Sequence, residues 1–231
     1  TLAMDQPQLV APSHGQVVDE AKTAAPSRDA ADLAKSAERE KWRASLREAN
    51  QHVWLHGPHG SGDNLDASLK RNSAFIKRLK QTNLADAKDA LVKEVQLLSL
   101  TKYLDELIPS IPEILWKATT LKDRYAAIEI LCALHARFGG SEFTEPLLKV
   151  MEQEIVPPPP KSQDASNEQA QKEAALVARQ RSLLRGVTEM VLVGLVGPMT
   201  QSEGVCAPGL NWLYEQLRKM LSQDRDLVYT S

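Results

Sequence analysis

His56 and His59 form an H-x-x-H pair within the run Gly57-Pro58-His59-Gly60-Ser61-Gly62, and two imidazoles at that spacing could ligate zinc. A closed zinc site takes four ligands. No second pair of Cys or His lies nearby, so no metal is expected. Cys132 precedes His135 by one helical turn, the arrangement of a nucleophile and its base. A reactive thiolate needs an accessible, electropositive setting, whereas Ile130, Leu131 and Leu134 mark this stretch as interior, so Cys132 is read as a small core residue. Gly60-Ser61-Gly62 is followed by Asp63 rather than by the Lys-Ser/Thr of a phosphate-cradling loop, and an acid there repels phosphate. The adjacent carboxylates Asp105 and Glu106 sit beside Tyr103, Leu104 and Leu107 on what should be an exposed helix face, where they are simply solvated. No constellation supports an enzyme or a cofactor.

Binding chemistry is better represented. The segment Leu69–Leu79 reads LKRNSAFIKRL. At 3.6 residues per turn Asn72, Phe75, Ile76 and Leu79 share one face, and Lys70, Arg71, Lys77 and Arg78 lie opposite. With Lys80 these make a basic patch free of acids, able to attract RNA phosphates or an acidic peptide. Arg179, Arg181 and Arg185 form a second acid-free cluster between Ala174 and Thr188. These eight residues are the candidate contacts, weighed against a merely solvated helix face. Aromatic side chains that could stack bases are not interleaved with them, because Phe75 belongs to the apolar side, and this weakens sequence-specific RNA recognition.

The elements that must carry these residues are helical. Residues 1–26 are rich in Ala, Pro, Gln and Ser and read as a flexible leader. Residues 27–55 favour a long, mostly solvated helix in which Trp42 and Trp54 call for a docking surface, and the glycine loop closes it by residue 62. From residue 63 to 231 amphipathic helices follow closely. Asn83 is placed as an N-cap. Ser110-Ile111-Pro112-Glu113 reads as a capping box that divides 100–118 into two helices or one sharp bend. Thr120 opens a helix whose stretch 125–134 is apolar nearly all round, with Glu129 its only charge, and which stops at Gly139-Gly140. Residues 157–167 form a proline-rich loop. Gly186 and Gly194 would allow close helix approach, and Leu210, Leu213, Leu217, Met220 and Leu221 share a face of a final helix. No hairpin-bounded strand interrupts the series, so the architecture is all-α, with helix pairs stacked as a solenoid.

Composition limits the alternatives. A net charge of -2 and a pI near 6.2 do not suit a chain whose main task is gripping phosphate backbones. Two cysteines, Cys132 and Cys206, do not make a disulfide framework and fit a reducing compartment. The longest apolar stretch, 190–199, is broken by Gly194, Gly197 and Pro198, so no membrane association is expected. The chain opens on Thr1 with no methionine and is expected to be part of something longer.

Five segments in order, LKRNSAFIKRLK, LSLTKYLDELIPSIPEI, AAIEILCALHARF, LLRGVTEMVLVGLVG and LNWLYEQLRKML, closely resemble the first middle domain of the up-frameshift-two family of nonsense-mediated mRNA decay factors, in a fungal form. This domain type is named after the middle region of the four-gamma translation initiation scaffold and is built of HEAT-like antiparallel helix pairs. The resemblance spans about residues 69–221. It implies a non-enzymatic scaffold of mRNA surveillance, monomeric, partnered by other decay factors through the full-length protein. It also implies residence in the cytoplasm, with perinuclear or nuclear-shuttling excursions. The competing functions are an RNA-binding helical domain using the basic faces and a translation initiation scaffold of the same fold. A complete domain of this type would continue with further helices, so apolar surface is expected near Leu213, Leu217 and Leu227.

Overall fold

The computed structural model describes residues 28–60, 64–81, 83–156, 167–197 and 208–223. The leader 1–26, most of the loop 157–167, Cys206 and Leu227 lie outside the described residues. In chain order the helices are α1 (Arg28–His56), α2 (Leu69–Leu79), α3 (Leu84–Leu97), α4 (Leu104–Lys117), α5 (Leu121–Gly139), α6 (Glu145–Glu154), α7 (Asn167–Leu192) and α8 (Pro208–Gln223). A 3-10 turn, Thr101–Tyr103, leads into α4, and a π-helical turn, Gly140–Thr144, joins α5 to α6. Among the described residues the only strand-like pairing is an isolated bridge between Asp66 and Leu98. The chain is all-α.

Residues 1–38 and 39–231 are two compact units. Of the first, the described part is the start of α1, where Lys35 pairs with Asp32 at 3.3 Å on an exposed surface. The second takes in the rest of α1 and the glycine loop as well as everything after residue 63.

Burial in this second unit explains why its helices form where they do. In α2 the buried residues are Asn72, Phe75, Ile76 and Leu79, the face set by the 3.6-residue period. α5 is central, packing on α3, α4 and α7, and its residues Ala127, Ile128, Ile130 and Leu134 are almost fully buried.

Three local features depart from the sequence expectation. Residues 104–117 form one helix with Pro109 and Pro112 inside it. Each proline removes a backbone donor at a cost of about 3 kcal/mol. Leu104, Leu107, Ile108, Ile111, Ile114 and Leu115 are buried along the same helix at about 1.5–3 kcal/mol each, so packing outweighs the prolines. Ser110 does not cap a new helix: its hydroxyl donates to the Leu107 carbonyl at 2.7 Å, and Glu113 pairs with Lys117 at 2.6 Å.

Asn83 occupies the N-cap position of α3 without a side-chain cap bond. The Asp123 carboxylate from the first turn of α5 takes that role across the packing interface, accepting from the Ala85 N–H at 3.0 Å. It also accepts from the Thr120 hydroxyl at 2.6 Å, while Thr120 Oγ1 accepts from the Asp123 N–H at 3.1 Å. One carboxylate thus serves two helix N-termini, where the aligned peptide dipoles favour negative charge.

α5 does end at Gly139, whose φ of +77° suits glycine, but the chain passes straight on through the π turn into α6. Trp54 packs so tightly on the next residue that a Cβ on Gly140 would lie 2.2 Å from its ring.

Candidate functional site

The basic face of α2 is divided by its own neighbours. Arg71 donates to Asp66 Oδ2 at 2.5 Å, Arg78 pairs with Glu94 on α3, and Lys80 lies 3.8 Å from Glu106 on α4. Asp66 organises the start of the helix. Its Oδ1 accepts from the Ser68 N–H at 2.8 Å and its carbonyl accepts from Asn72 Nδ2 at 3.1 Å. The Ser68 N–H foremost, and then Arg71, hold the Asp66 carboxyl below the usual carboxylate range. Lys70 and Lys77, two turns apart on one exposed face, have no acidic partner among the described residues.

α7 splits its arginines between two surfaces. The Arg179 guanidinium lies 3.4 Å from the Trp116 ring centroid and donates to Glu154 Oε2 at 2.5 Å, tying α4, α6 and α7 together. Gln180 strengthens that tie by donating to the Glu154 carbonyl at 2.8 Å. Arg181 and Arg185, one turn apart, are exposed on the opposite side of the helix. Gly186, two turns from Arg179 on the same face, lets α4 approach closely: a Cβ there would meet Leu115 at 3.1 Å.

The residues that first suggested catalysis are held in other roles. The Cys132 thiol accepts from Asn50 Nδ2 at 3.2 Å, and burial pushes its pKa up to about 12. His135 shares a 2.7 Å hydrogen bond between Nδ1 and Thr144 Oγ1, and burial lowers its pKa to about 4. At neutral pH the pair is a protonated thiol and an uncharged imidazole, with no thiolate to attack anything. The His52 ring meets His56 in a tilted contact at 4.5 Å and stacks on His59 at 5.5 Å, and the His59 backbone N–H donates to the Ala136 carbonyl at 2.9 Å. Among the described residues no group of three or more His, Cys, Asp or Glu is placed to hold a metal ion.

A polar seam along α1 is the feature the sequence reading did not find. Trp42 Nε1 donates to Glu129 Oε1 at 2.9 Å, and its ring meets Tyr125 at 4.4 Å. Arg43 grips Glu189 with bonds of 2.9 and 2.7 Å. Arg47 donates twice to the Leu192 carbonyl, at 3.0 and 2.8 Å, Asn50 donates to the Val193 carbonyl at 2.9 Å, and Trp54 Nε1 donates to the Gly194 carbonyl at 3.1 Å. A helix C-terminus leaves its last carbonyls without intrahelical partners. α1 supplies those partners in order, and the cationic Arg47 also suits the negative end of the α7 dipole. The signal was present in the spacing 42, 43, 47, 50, 54, which is helical and joins the two tryptophans through polar residues. Pairing those residues with carbonyls more than a hundred positions away needed the fold.

On α8 the expected apolar face is divided. Met220 is buried and Leu213 half-buried, while Leu210, Tyr214, Leu217 and Leu221 form an exposed stripe. No helix among the described residues is long and apolar enough to cross a membrane.

No family model matches the chain. It is 39% identical over 132 residues to nonsense-mediated mRNA decay protein 2 of Saccharomyces cerevisiae, an alignment covering 57% of this chain and 12% of that protein. It is 31% identical over 192 residues to regulator of nonsense transcripts 2 of Mus musculus, covering 82% of this chain and 13% of that protein. The chain thus spans about an eighth of the length of these relatives. A solved structure, the N-terminal mIF4G domain of Saccharomyces cerevisiae Upf2, a protein involved in the degradation of mRNAs containing premature stop codons, superposes with a TM-score of 0.62 at 29% identity, covering 81% of this chain and 61% of that one.

Proposed function

Since this chain is a homologue of the Upf2-type N-terminal mIF4G domains, we propose that it serves as a non-enzymatic scaffold module of nonsense-mediated mRNA decay. It acts in the cytoplasm, as a monomeric segment of a longer protein, and its partners are other decay factors. Homology over the helical array carries the reading. The local chemistry supports it: a buried, protonated Cys132 and an uncharged His135 are core groups, and the surface is built of helix faces. Capture from extract on the immobilised chain, with and without nuclease, tests it. Decay factors retained after nuclease treatment are the expected result, and their complete loss would contradict direct scaffolding.

A second reading, direct contact with RNA, is favoured by one observation: Lys70 and Lys77 stand exposed and unpaired on one face of α2. Its size can be tested by salt. For single-stranded RNA each neutralised phosphate contributes about -0.7 to the slope of log affinity against log salt. Two lysines predict a slope of about -1.4, whereas all eight basic residues singled out from the sequence would give about -5.6. Replacing both lysines by glutamate should abolish the shallow component. Binding that survives the replacement removes α2 as the RNA contact.

A further inference from the structure

The docking of α1 gathers arginines that are far apart in sequence. Arg43 meets Glu189, Arg47 meets Leu192 and Asn50 meets Val193, so α1 and α7 run in the same direction here. Trp42 meets Tyr125, Asn50 meets Cys132 and Trp54 meets His135, so α5 runs that way too. One turn back from the Arg43–Glu189 pair therefore brings Arg39 of α1 and Arg185 of α7 to one level, beside Arg124 of α5.

The acids at this junction are already taken. Glu189 is held by two bonds from Arg43, and Glu40 pairs with Arg43 at 2.5 Å. Arg39, Arg124 and Arg185 have no carboxylate partner among the described residues. Arg124 is only 8% exposed, its Nε has no hydrogen-bond partner, and its one bond, to the Ala118 carbonyl, is 3.4 Å long. The neighbouring Tyr125 hydroxyl is buried without a partner as well. Burial, and then the nearby Arg185, lower the Arg124 pKa, while the Glu189 carboxylate, held by Arg43, opposes that shift from a distance without bonding to Arg124. Buried donors left without acceptors are costly, so a cluster in which guanidiniums outnumber the one nearby carboxylate favours a bound anion.

We propose that Arg39, Arg124 and Arg185 bind a phosphomonoester, the phosphoserine or phosphothreonine side chain of a protein partner. Arginine clusters recognise such dianions by charge-assisted, forked hydrogen bonds. RNA fits less well. Its phosphates carry one charge each along an extended track, and binding them without sequence preference draws on open aromatic faces for stacking, whereas Tyr125 here is faced by Trp42 at 4.4 Å. The site is independent of the decay assignment, since its geometry belongs to this chain alone.

The test is titration of the 231-residue chain with the capped peptide Ala-Ala-phosphoserine-Ala-Ala, following the arginine Nε–H signals by NMR, with the unphosphorylated peptide and oligouridylate in parallel. The phosphopeptide should shift the Arg185 signal saturably and the unphosphorylated peptide should not. Arg185→Glu and Arg39→Glu should each weaken binding at least about tenfold without moving the thermal midpoint. Arg185 is exposed, so its variant remains informative even if Arg124→Gln fails to fold. No saturable shift, equal affinity in Arg185→Glu, or displacement of the peptide by a lower concentration of oligouridylate would overturn the proposal.

Discussion

His135 converts burial into a pH response. Its ordinary pKa of 6.5 falls to about 4 in the folded chain, so between those values the unfolded chain binds the extra proton. Stability from this group is complete above about pH 6.5 and is lost progressively as pH falls towards 4, by about 3 kcal/mol in all. Urea midpoints recorded from pH 7 to 4.5 should decline, and His135→Gln should flatten that decline. Cys132 belongs to the same interior: iodoacetamide at pH 8 should leave it unmodified in the folded chain and label it in urea, as mass mapping would show. At Gly140 any side chain collides with Trp54, so Gly140→Ala should lower the thermal midpoint by several degrees, with Trp54→Phe relieving part of the loss.

Among the elements, α1 carries the largest contrast between what the chain spelled out and what folding made. Trp42 and Trp54 announced that this segment docks, because rings of that size are seldom left in water. Arg43, Arg47 and Asn50 looked like ordinary solvated positions, and only the end of α7 turned them into caps. Arg47→Ala should cost about 1–3 kcal/mol, because the Leu192 carbonyl would lose a charged double donor, and chemical denaturation would measure it. The face of α2 was legible for the opposite reason: its four buried residues obey one local period. α4 was misjudged at Ser110 because capping rules weigh the local chain, whereas six buried aliphatic side chains fix that helix from outside it. Charge was legible as composition and not as pairing. Arg71, Arg78 and Arg179 read as free cations until Asp66, Glu94, Glu154 and Trp116 were placed beside them.

For the molecule as a whole, the helical array followed from amphipathic segments with short connections, and its kinship from the order of five segments. Neither level names a binding surface, because that depends on which charges remain unpaired after folding. Lys70, Lys77 and the arginines at the α1–α5–α7 junction are such charges, and they are where the surface should be probed. Replacing the aligned region of Saccharomyces cerevisiae nonsense-mediated mRNA decay protein 2 with this chain, in cells carrying a reporter mRNA with a premature stop codon, tests the scaffold assignment most directly. The account predicts that the chimera keeps the reporter mRNA scarce, as the unaltered yeast protein does. Accumulation of the reporter to the level seen without that protein, with the chimera folded and present at normal abundance, would contradict it.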